Sequence, residues 1–171
     1  MIKHKILTIL LALFTAASIA KAQGWTSVQS VGVLPENTAE ENRQHLQEAI
    51  DRMSPVGGVL YVEPTQSGYP MQGGIILRRN VTLQGAHGPT GRGTALPDCS
   101  GPTGSLFVIR DQENPFITVE SATQIKGIQF YYPEQTWQDG GKIIAYPPTI
   151  RMATAQKVQG VTLSCLTFYG E

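Results

Sequence analysis

The chain has 171 residues, which suits one domain or one domain with an appendage. Its 13 Lys and Arg residues balance its 13 Asp and Glu residues, which excludes a basic nucleic-acid-binding surface of the usual kind. Charged residues make up only 15% of the chain, whereas 18 Gly and 11 Pro residues predict many turns and therefore a β-rich fold.

The N-terminus has the three parts of a secretory signal peptide. Lys3 and Lys5 provide a positive start, residues 6–19 are mainly apolar, and Ala20-Lys21-Ala22 places small residues where signal peptidase reads. The apolar run is shorter than the ~20 residues that a membrane-spanning helix needs. We therefore expect a signal peptide over residues 1–22, cleavage after Ala22, a secreted or periplasmic protein, and no stable membrane insertion afterwards.

A single clear helical pattern follows, over residues 36–53. Asn37 or Thr38 can cap this helix, because Glu40 or Glu41 stands three residues later, as a capping box requires. Apolar residues recur at helical spacing along one face: Leu46, Ala49, Ile50 and Met53. We expect residues 23–56 to form an N-terminal segment that contains this helix as a cap.

Beyond the helix the pattern becomes extended, with short apolar runs separated by Gly and Pro. The runs predict nine strands, at residues 59–62, 75–77, 81–83, 106–109, 116–119, 125–130, 143–146, 150–152 and 158–163. They are too short and too closely spaced for alternating strand–helix units.

Self-comparison at a shift of 33 residues aligns apolar positions without a gap. Ile117 meets Ile150, Ile125 meets Val158, and Gly127 meets Gly160. A repeat of this length with three short strands predicts a parallel β-helix of about three coils over residues 57–171, with equivalent residues stacked about 4.8 Å apart. The alternative is a nine-stranded antiparallel sandwich, but the hairpin signal Asn-Gly is absent.

Several motifs resemble the N-terminal part of the pectate lyase superfamily, and more narrowly the rhamnogalacturonase/epimerase-like right-handed β-helix proteins. They are the Gln-x-Ala-Ile of the helix (residues 47–50), Gly-Gly-x-x-Tyr-Val-x-Pro (57–64), Gly68-Tyr69, and Asn-Val-Thr-Leu-x-Gly (80–85). The match extends from about Thr38 to Phe168. It implies a secreted protein that acts on pectin-like or other acidic polysaccharide, as a lyase or glycoside hydrolase in its full-length form.

The sequence departs from this family in two respects. The acidic stretch that usually precedes the cap helix is reduced to residues 34–37, and the chain stops at Glu171, whereas the family's catalytic carboxylates come from later coils. We therefore expect a C-terminally truncated fragment without catalytic residues, whose open edge allows self-association. The alternatives are a non-catalytic glycan-binding or structural β-helix, or a product without a function of its own.

Candidate binding residues are aromatic and polar side chains in predicted loops. Sugar rings pack on Tyr and Trp while Glu and Arg bind hydroxyl or carboxylate groups, which selects Tyr131, Glu134, Trp137 and Arg92. Tyr132 and Tyr146 fit packing positions better, and Asp111 and Glu113 fit solvated loop charges rather than a catalytic pair.

No motif predicts a metal site or a cofactor. The chain has no Cys-x-x-Cys spacing and no calcium-binding nonapeptide repeat. Its two cysteines, Cys99 and Cys165, could form a disulfide in an exported protein or remain separate thiols.

Overall fold

The computed structural model describes residues 24–86, 104–135, 144–155 and 157–170. The proposed signal peptide and Cys99 lie outside these ranges, while Cys165 is exposed. The described elements are β1 (Trp25–Ser27), a 3₁₀ turn (Gln29–Val31), α1 (Ala39–Met53), β2 (Gly58–Val62), β3 (Tyr69–Met71), β4 (Ile75–Leu77), β5 (Val81–Gly85), β6 (Ser105–Ile109), β7 (Ile117–Val119), β8 (Gln124–Lys126), β9 (Ile128–Tyr132), β10 (Ile150–Met152), β11 (Thr162–Ser164) and β12 (Thr167–Gly170).

These strands form three sheets, and every described pairing is parallel. Sheet A has the order β1-β2-β5-β8-β11, sheet B the order β3-β6-β9-β12, and sheet C the order β4-β7-β10. From β2 onward the chain visits sheets A, B and C in the same order each time. The protein is thus mainly parallel β-sheet with one α-helix among the described residues, consistent with a parallel β-helix-like fold and not with an antiparallel sandwich.

The core consists of like side chains stacked in columns between successive strands. The columns are Leu60, Leu83, Ile125 and Leu163 in sheet A; Tyr69, Phe107, Phe130 and Phe168 in sheet B; and Ile75, Ile117 and Ile150 in sheet C. In the sheet B column, ring centroids lie 5.1 to 6.3 Å apart. Strand alternation explains the columns, because residues two apart point to the same face and parallel pairing brings equivalents together.

The N-terminal helix covers the first strands of sheets B and C. Thr38 caps it by accepting a hydrogen bond from the Glu41 amide, and the Glu41 carboxylate accepts one from the Thr38 amide, which completes the predicted capping box. The predicted apolar face is confirmed: Leu46, Ala49 and Ile50 are buried.

At this end of the coil, β2, β3 and β4 each have a hydrogen-bonding neighbour, and β1 is the edge strand of sheet A. Strand β1 lies beside β2 in sheet A. In sheet B, the Asn42 side-chain amide donates to the Pro70 carbonyl of β3. The Ala39 carbonyl accepts from the amide of Gln72, which follows β3. In sheet C, the Gln47 side-chain amide donates to the Ile76 carbonyl at 3.1 Å, and its oxygen accepts from the Ile76 amide at 2.8 Å. Side chains of α1 thus take the place of neighbouring strands.

The predicted 33-residue register is correct in one sheet and wrong in another. Ile117 pairs with Ile150 as expected, 33 positions further on. Ile125 pairs not with Val158 but with Leu163, 38 positions further on. The difference arises because the connection from β10 to β11 is five residues longer than the connection from β7 to β8.

Other predicted elements also differ from the structure. The expected strand at 125–130 divides into β8 and β9, because Gly127 turns the chain at φ 67°. Residues 144–146 are not a strand, and strands β1, β3 and β12 were not predicted.

The corner that leads into sheet A has a left-handed residue in each coil. Gly57, Asn80, Ala122 and Gly160 have φ values of 77°, 65°, 57° and 68°. The Asn80 amide donates to the Ala122 carbonyl at 2.9 Å, so these corners are hydrogen-bonded to one another as the strands are. This backbone conformation strains a residue with a Cβ, and the two non-glycine residues here are held in it by pairing.

Candidate functional site

Polar side chains cluster where sheet B ends. Arg110 follows β6 and Glu134 follows β9, and these two strands are parallel neighbours. Because the carboxyl ends of parallel strands meet at one edge, residues far apart in sequence come together there. Of the four predicted binding residues, Glu134 and Tyr131 are in this region, while Trp137 and Arg92 lie outside the described residues.

Glu134 is the centre of this cluster. Its Oε1 accepts a hydrogen bond from Arg110 Nη1 at 2.8 Å. Its Oε2 accepts one from the Tyr146 hydroxyl at 2.5 Å and a longer one from Gln112 Nε2 at 3.4 Å. The carboxylate therefore has a guanidinium, a phenol and an amide as donors, a set that binds the ionised form strongly.

Hydrogen bonding and burial move the pKa values of Glu134 and Tyr146 away from neutrality. The hydrogen bond from Tyr146, with further donation from Arg110 and Gln112, lowers the pKa of Glu134 despite its partial burial. Burial, together with donation to the Glu134 carboxylate, raises the pKa of Tyr146 to about 12. Near neutral pH Glu134 is thus an ionised acceptor and Tyr146 a protonated donor, an arrangement suited to hydrogen bonding rather than to proton transfer.

Tyr146 belongs to a segment that folds back over the end of β9. The Gln135 side chain donates to the Ile144 carbonyl at 2.6 Å and accepts from the Ile144 amide at 3.3 Å. Tyr132 is buried, its hydroxyl is hydrogen-bonded to Thr149 Oγ1, and its ring centroid lies 4.8 Å from that of Tyr146. The interpretation of Tyr132 and Tyr146 as packing residues is confirmed, although Tyr146 also reaches the Glu134 cluster.

Asp111 is structural in a way that the sequence did not predict. It was interpreted as a solvated loop charge, but only 5% of its surface is exposed. Its Oδ1 accepts from the amides of Glu113 and Asn114 at 2.8 and 3.1 Å, and its Oδ2 accepts from the Gly73 amide at 3.0 Å. A Cβ on Gly73 would lie 2.8 Å from this Oδ2, so glycine allows the close approach.

These bonds decide the ionisation of Asp111. Burial by itself would oppose the charge, but the amide donors of Glu113, Asn114 and Gly73 outweigh it and lower the pKa of the carboxyl. Asp111 therefore ties two successive coils together as an ionised group. Glu113, its predicted companion, is exposed.

Tyr131 lies on the outer side of sheet B, in the column that alternates with the buried aromatic one. Its register partners are Val108 on β6 and Tyr169 on β12. The Tyr169 hydroxyl donates to the side chain of the buried Gln129 at 3.0 Å. The sequence prediction missed Tyr169 because β12 was not recognised as a strand, and missed Arg110 because a lone arginine in a turn carries no motif.

The described residues contain no group of three or more His, Cys, Asp or Glu side chains arranged to hold a metal ion. Within the same ranges, no helix has the length and apolar character required to cross a membrane.

Comparison with known proteins gave no match to a family model, to a curated protein or to a solved structure.

Proposed function

We propose that this chain is the N-terminal part of a right-handed parallel β-helix protein of the pectate lyase superfamily that acts on polysaccharide. The observation that carries the proposal is the passage of successive strands through three parallel sheets beneath a helical cap. The motifs that resemble this family coincide with α1, β2 and β5, the elements that close and begin the coil.

In this proposal the described residues bind the polymer. Sugars offer many hydroxyl groups and, when acidic, carboxylates. Glu134 can accept from hydroxyl groups, while Arg110, whose side chain is 61% exposed, can donate to hydroxyl or carboxylate oxygens beside it. Tyr131 supplies an aromatic ring on the adjoining outer face, and we place Trp137 and Arg92 among the binding residues as proposed contacts.

The ionisation of the carboxylates favours binding over cleavage in this part of the protein. Glycoside hydrolysis by two carboxyl groups needs one that remains protonated until it donates its proton. Glu134 has a lowered pKa, and so has Asp111, whose oxygens are occupied by backbone amides. Both shifts run opposite to what a general acid requires.

We also propose export of the chain, with cleavage after Ala22, because the substrate class is extracellular. N-terminal sequencing of the protein purified from an expressing bacterium would test this, and an intact Met1 in the periplasmic or secreted fraction would contradict it.

The proposed function is tested by binding and turnover measured together. Calorimetric titration of the chain with pectin, rhamnogalacturonan and alginate fragments should show binding to at least one polymer, without release of unsaturated uronates or reducing ends. Glu134→Gln should weaken that binding about tenfold, since a hydrogen bond to a charged group contributes about 1.5–3 kcal/mol.

Glu113→Gln is the matched control, because it removes the same charge from an exposed position outside the cluster. Absence of binding to all of these polymers would refute the proposed function. Turnover that disappears in Asp111→Asn would show instead that this part of the protein is catalytic.

A further inference from the structure

The outer face of sheet A carries two rows of side chains that the proposed site does not use. Residues that alternate with the buried core column point outward on each strand, and parallel pairing aligns them. One row contains Trp25, Val59, Thr82, Gln124 and Thr162, and the other contains Ser27, Tyr61, Gln84, Lys126 and Ser164.

An aromatic pair occupies the end of this face nearest α1. Trp25 is 55% exposed, although a tryptophan of this size is ordinarily well buried. Its ring centroid lies 6.2 Å from that of Tyr61, with the ring planes tilted by 42°. The exposed Trp25 ring and the half-buried Tyr61 ring beside it form an apolar platform with polar edges, the kind of surface on which the apolar face of a sugar ring packs.

Hydrogen-bonding side chains continue the row from this platform. Tyr61 is aligned with Gln84, and Gln84 with Lys126. Each step crosses one strand, so Lys126 lies about 10 Å from Tyr61, two strand spacings away. A short oligosaccharide can bridge that span.

The strands of sheet A carry positive charge only. The five strands of sheet A contain Lys126 and no Asp or Glu. Among the described residues, none of the ion pairs includes Lys126. Its ammonium group is therefore a cation on a parallel sheet with neutral polar neighbours, complementary to a single negative group on a ligand.

We propose that the outer face of sheet A is a binding site for an acidic oligosaccharide, with a sugar ring on Trp25 and Tyr61 and a carboxylate at Lys126. Gln84 lies between these two contacts and bonds hydroxyl groups of the intervening sugar. This inference rests on the proposed function and adds a second contact surface, separate from the Glu134 cluster. The single cation suits one carboxylate contact and disfavours a nucleic acid, whose binding needs several phosphate contacts.

The test uses the full chain and oligogalacturonides as the probe, with their fully methyl-esterified forms as the uncharged comparison. Trp25→Ala should weaken binding of both forms about tenfold, since an aromatic contact contributes up to about 1.5 kcal/mol. Lys126→Gln should weaken binding of the acidic form up to about fivefold and leave the esterified form unchanged. Lys126→Arg should retain the preference for the acidic form.

Lys157→Gln is the matched control, because Lys157 is an exposed cation in the connection that precedes β11, outside the strands of sheet A. Fluorescence gives an independent readout, since the chain has two tryptophans. In a Trp137→Phe variant, the remaining emission comes from Trp25 and should change on titration with the acidic oligosaccharide. Circular dichroism of each variant checks that the coil remains folded.

The outcomes separate the two proposals. If the wild-type chain binds acidic oligosaccharide but Trp25→Ala and Lys126→Gln bind it equally well, the sheet A site is refuted and the proposed function stands. If the wild-type chain binds no acidic oligosaccharide, the sheet A site is refuted together with acidic-polysaccharide binding. If Lys126→Gln weakens both probe forms equally, the assigned carboxylate contact is wrong.

Discussion

The two ends of the coil are built from the same kinds of side chain but expose them very differently. At the N-terminal end, β1 pairs with β2, α1 bonds the backbone of β3 and β4, and Leu46 and Ile50 are completely buried. At the other end, β10, β11 and β12 are the last described strands of their sheets. There Met152, Leu163 and Phe168 are 58%, 45% and 54% exposed.

This difference shows that neighbours, rather than residue type, provide the stabilisation. Phe168 stacks on Phe130 at 5.1 Å just as the rings below it stack, yet only one of its faces is covered. A solenoid repeat contributes largely through the interface with its neighbour, so a side chain that is covered on one face only contributes about half as much burial.

The sharpest test compares two leucines. Leu46→Ala on the buried helix face should lower the free energy of unfolding by about 2–5 kcal/mol, whereas Leu163→Ala should lower it by about 1 kcal/mol or less. Urea denaturation followed by circular dichroism measures both. Equal losses would show that the C-terminal columns are as well packed as the capped end.

Asp111 links the first two complete coils and should have the next largest effect. Asp111→Asn places an amide group among amide donors and should cost about 1–3 kcal/mol at pH 7. Because the folded state lowers the pKa of Asp111, its contribution is present above the unfolded value of about 3.9 and is lost as the pH falls through the folded pKa.

The pH dependence of that loss is a separate check. The stability difference between wild type and Asp111→Asn should shrink as the pH falls below about 3.9, the unfolded pKa of aspartate. Glu113→Gln, which changes an exposed carboxyl nearby, should not reproduce this trend. A difference that is independent of pH would mean that the charge of Asp111 does not contribute.

The hydrogen bonds from α1 to β4, which replace those of a neighbouring strand, should contribute less to the free energy of unfolding. Gln47→Ala removes both side-chain bonds to Ile76 and should cost about 0.5–1.5 kcal/mol. Gln44→Ala is the control on the same helix, because the Gln44 amide donates to the exposed Glu40 and not to a strand. If the two variants have the same denaturation midpoint, Gln47 does not close the sheet edge.

The least effect on folding is expected at the exposed end, where we propose self-association. Leu163→Lys combined with Phe168→Lys should leave the unfolding free energy nearly unchanged, within about 1 kcal/mol, but should shift a self-associated population toward monomer. Sedimentation velocity across a range of concentrations measures this. A wild-type chain that remains monomeric at high concentration would contradict the proposal.

The sequence predicted the cap helix and most core strands because their signals are local. The capping box at Thr38 and the apolar spacing of the helix depend on neighbouring residues, and the runs in β2, β4 and β7 are apolar between turn residues. Strand β3 was missed since it is short and contains Pro70. Its position at the edge of sheet B tolerates a residue without an amide hydrogen.

The remaining errors concern contacts between distant residues. Residues 144–146 look like a strand, but the Gln135 side chain takes the backbone bonds of Ile144 that a strand partner would have made. The candidate site shows the same limit. Glu134 was predicted because aromatic residues surround it in the sequence. Its partner Arg110 lies 24 positions earlier and is brought near only by the pairing of β6 with β9.

The spacing between stacked partners varies widely along this coil. Leu60 and Leu83 are 23 positions apart, Leu83 and Ile125 are 42 apart, and Ile125 and Leu163 are 38 apart, yet all stand in one column. The left-handed corner residues recur at the entry to sheet A whatever length of chain separates them. The length of a connection therefore does not determine the geometry of the core. A segment inserted between β5 and β6 could vary in length while the strands keep their register. For a protein engineer, surface segments of such a molecule can be exchanged without redesigning its interior.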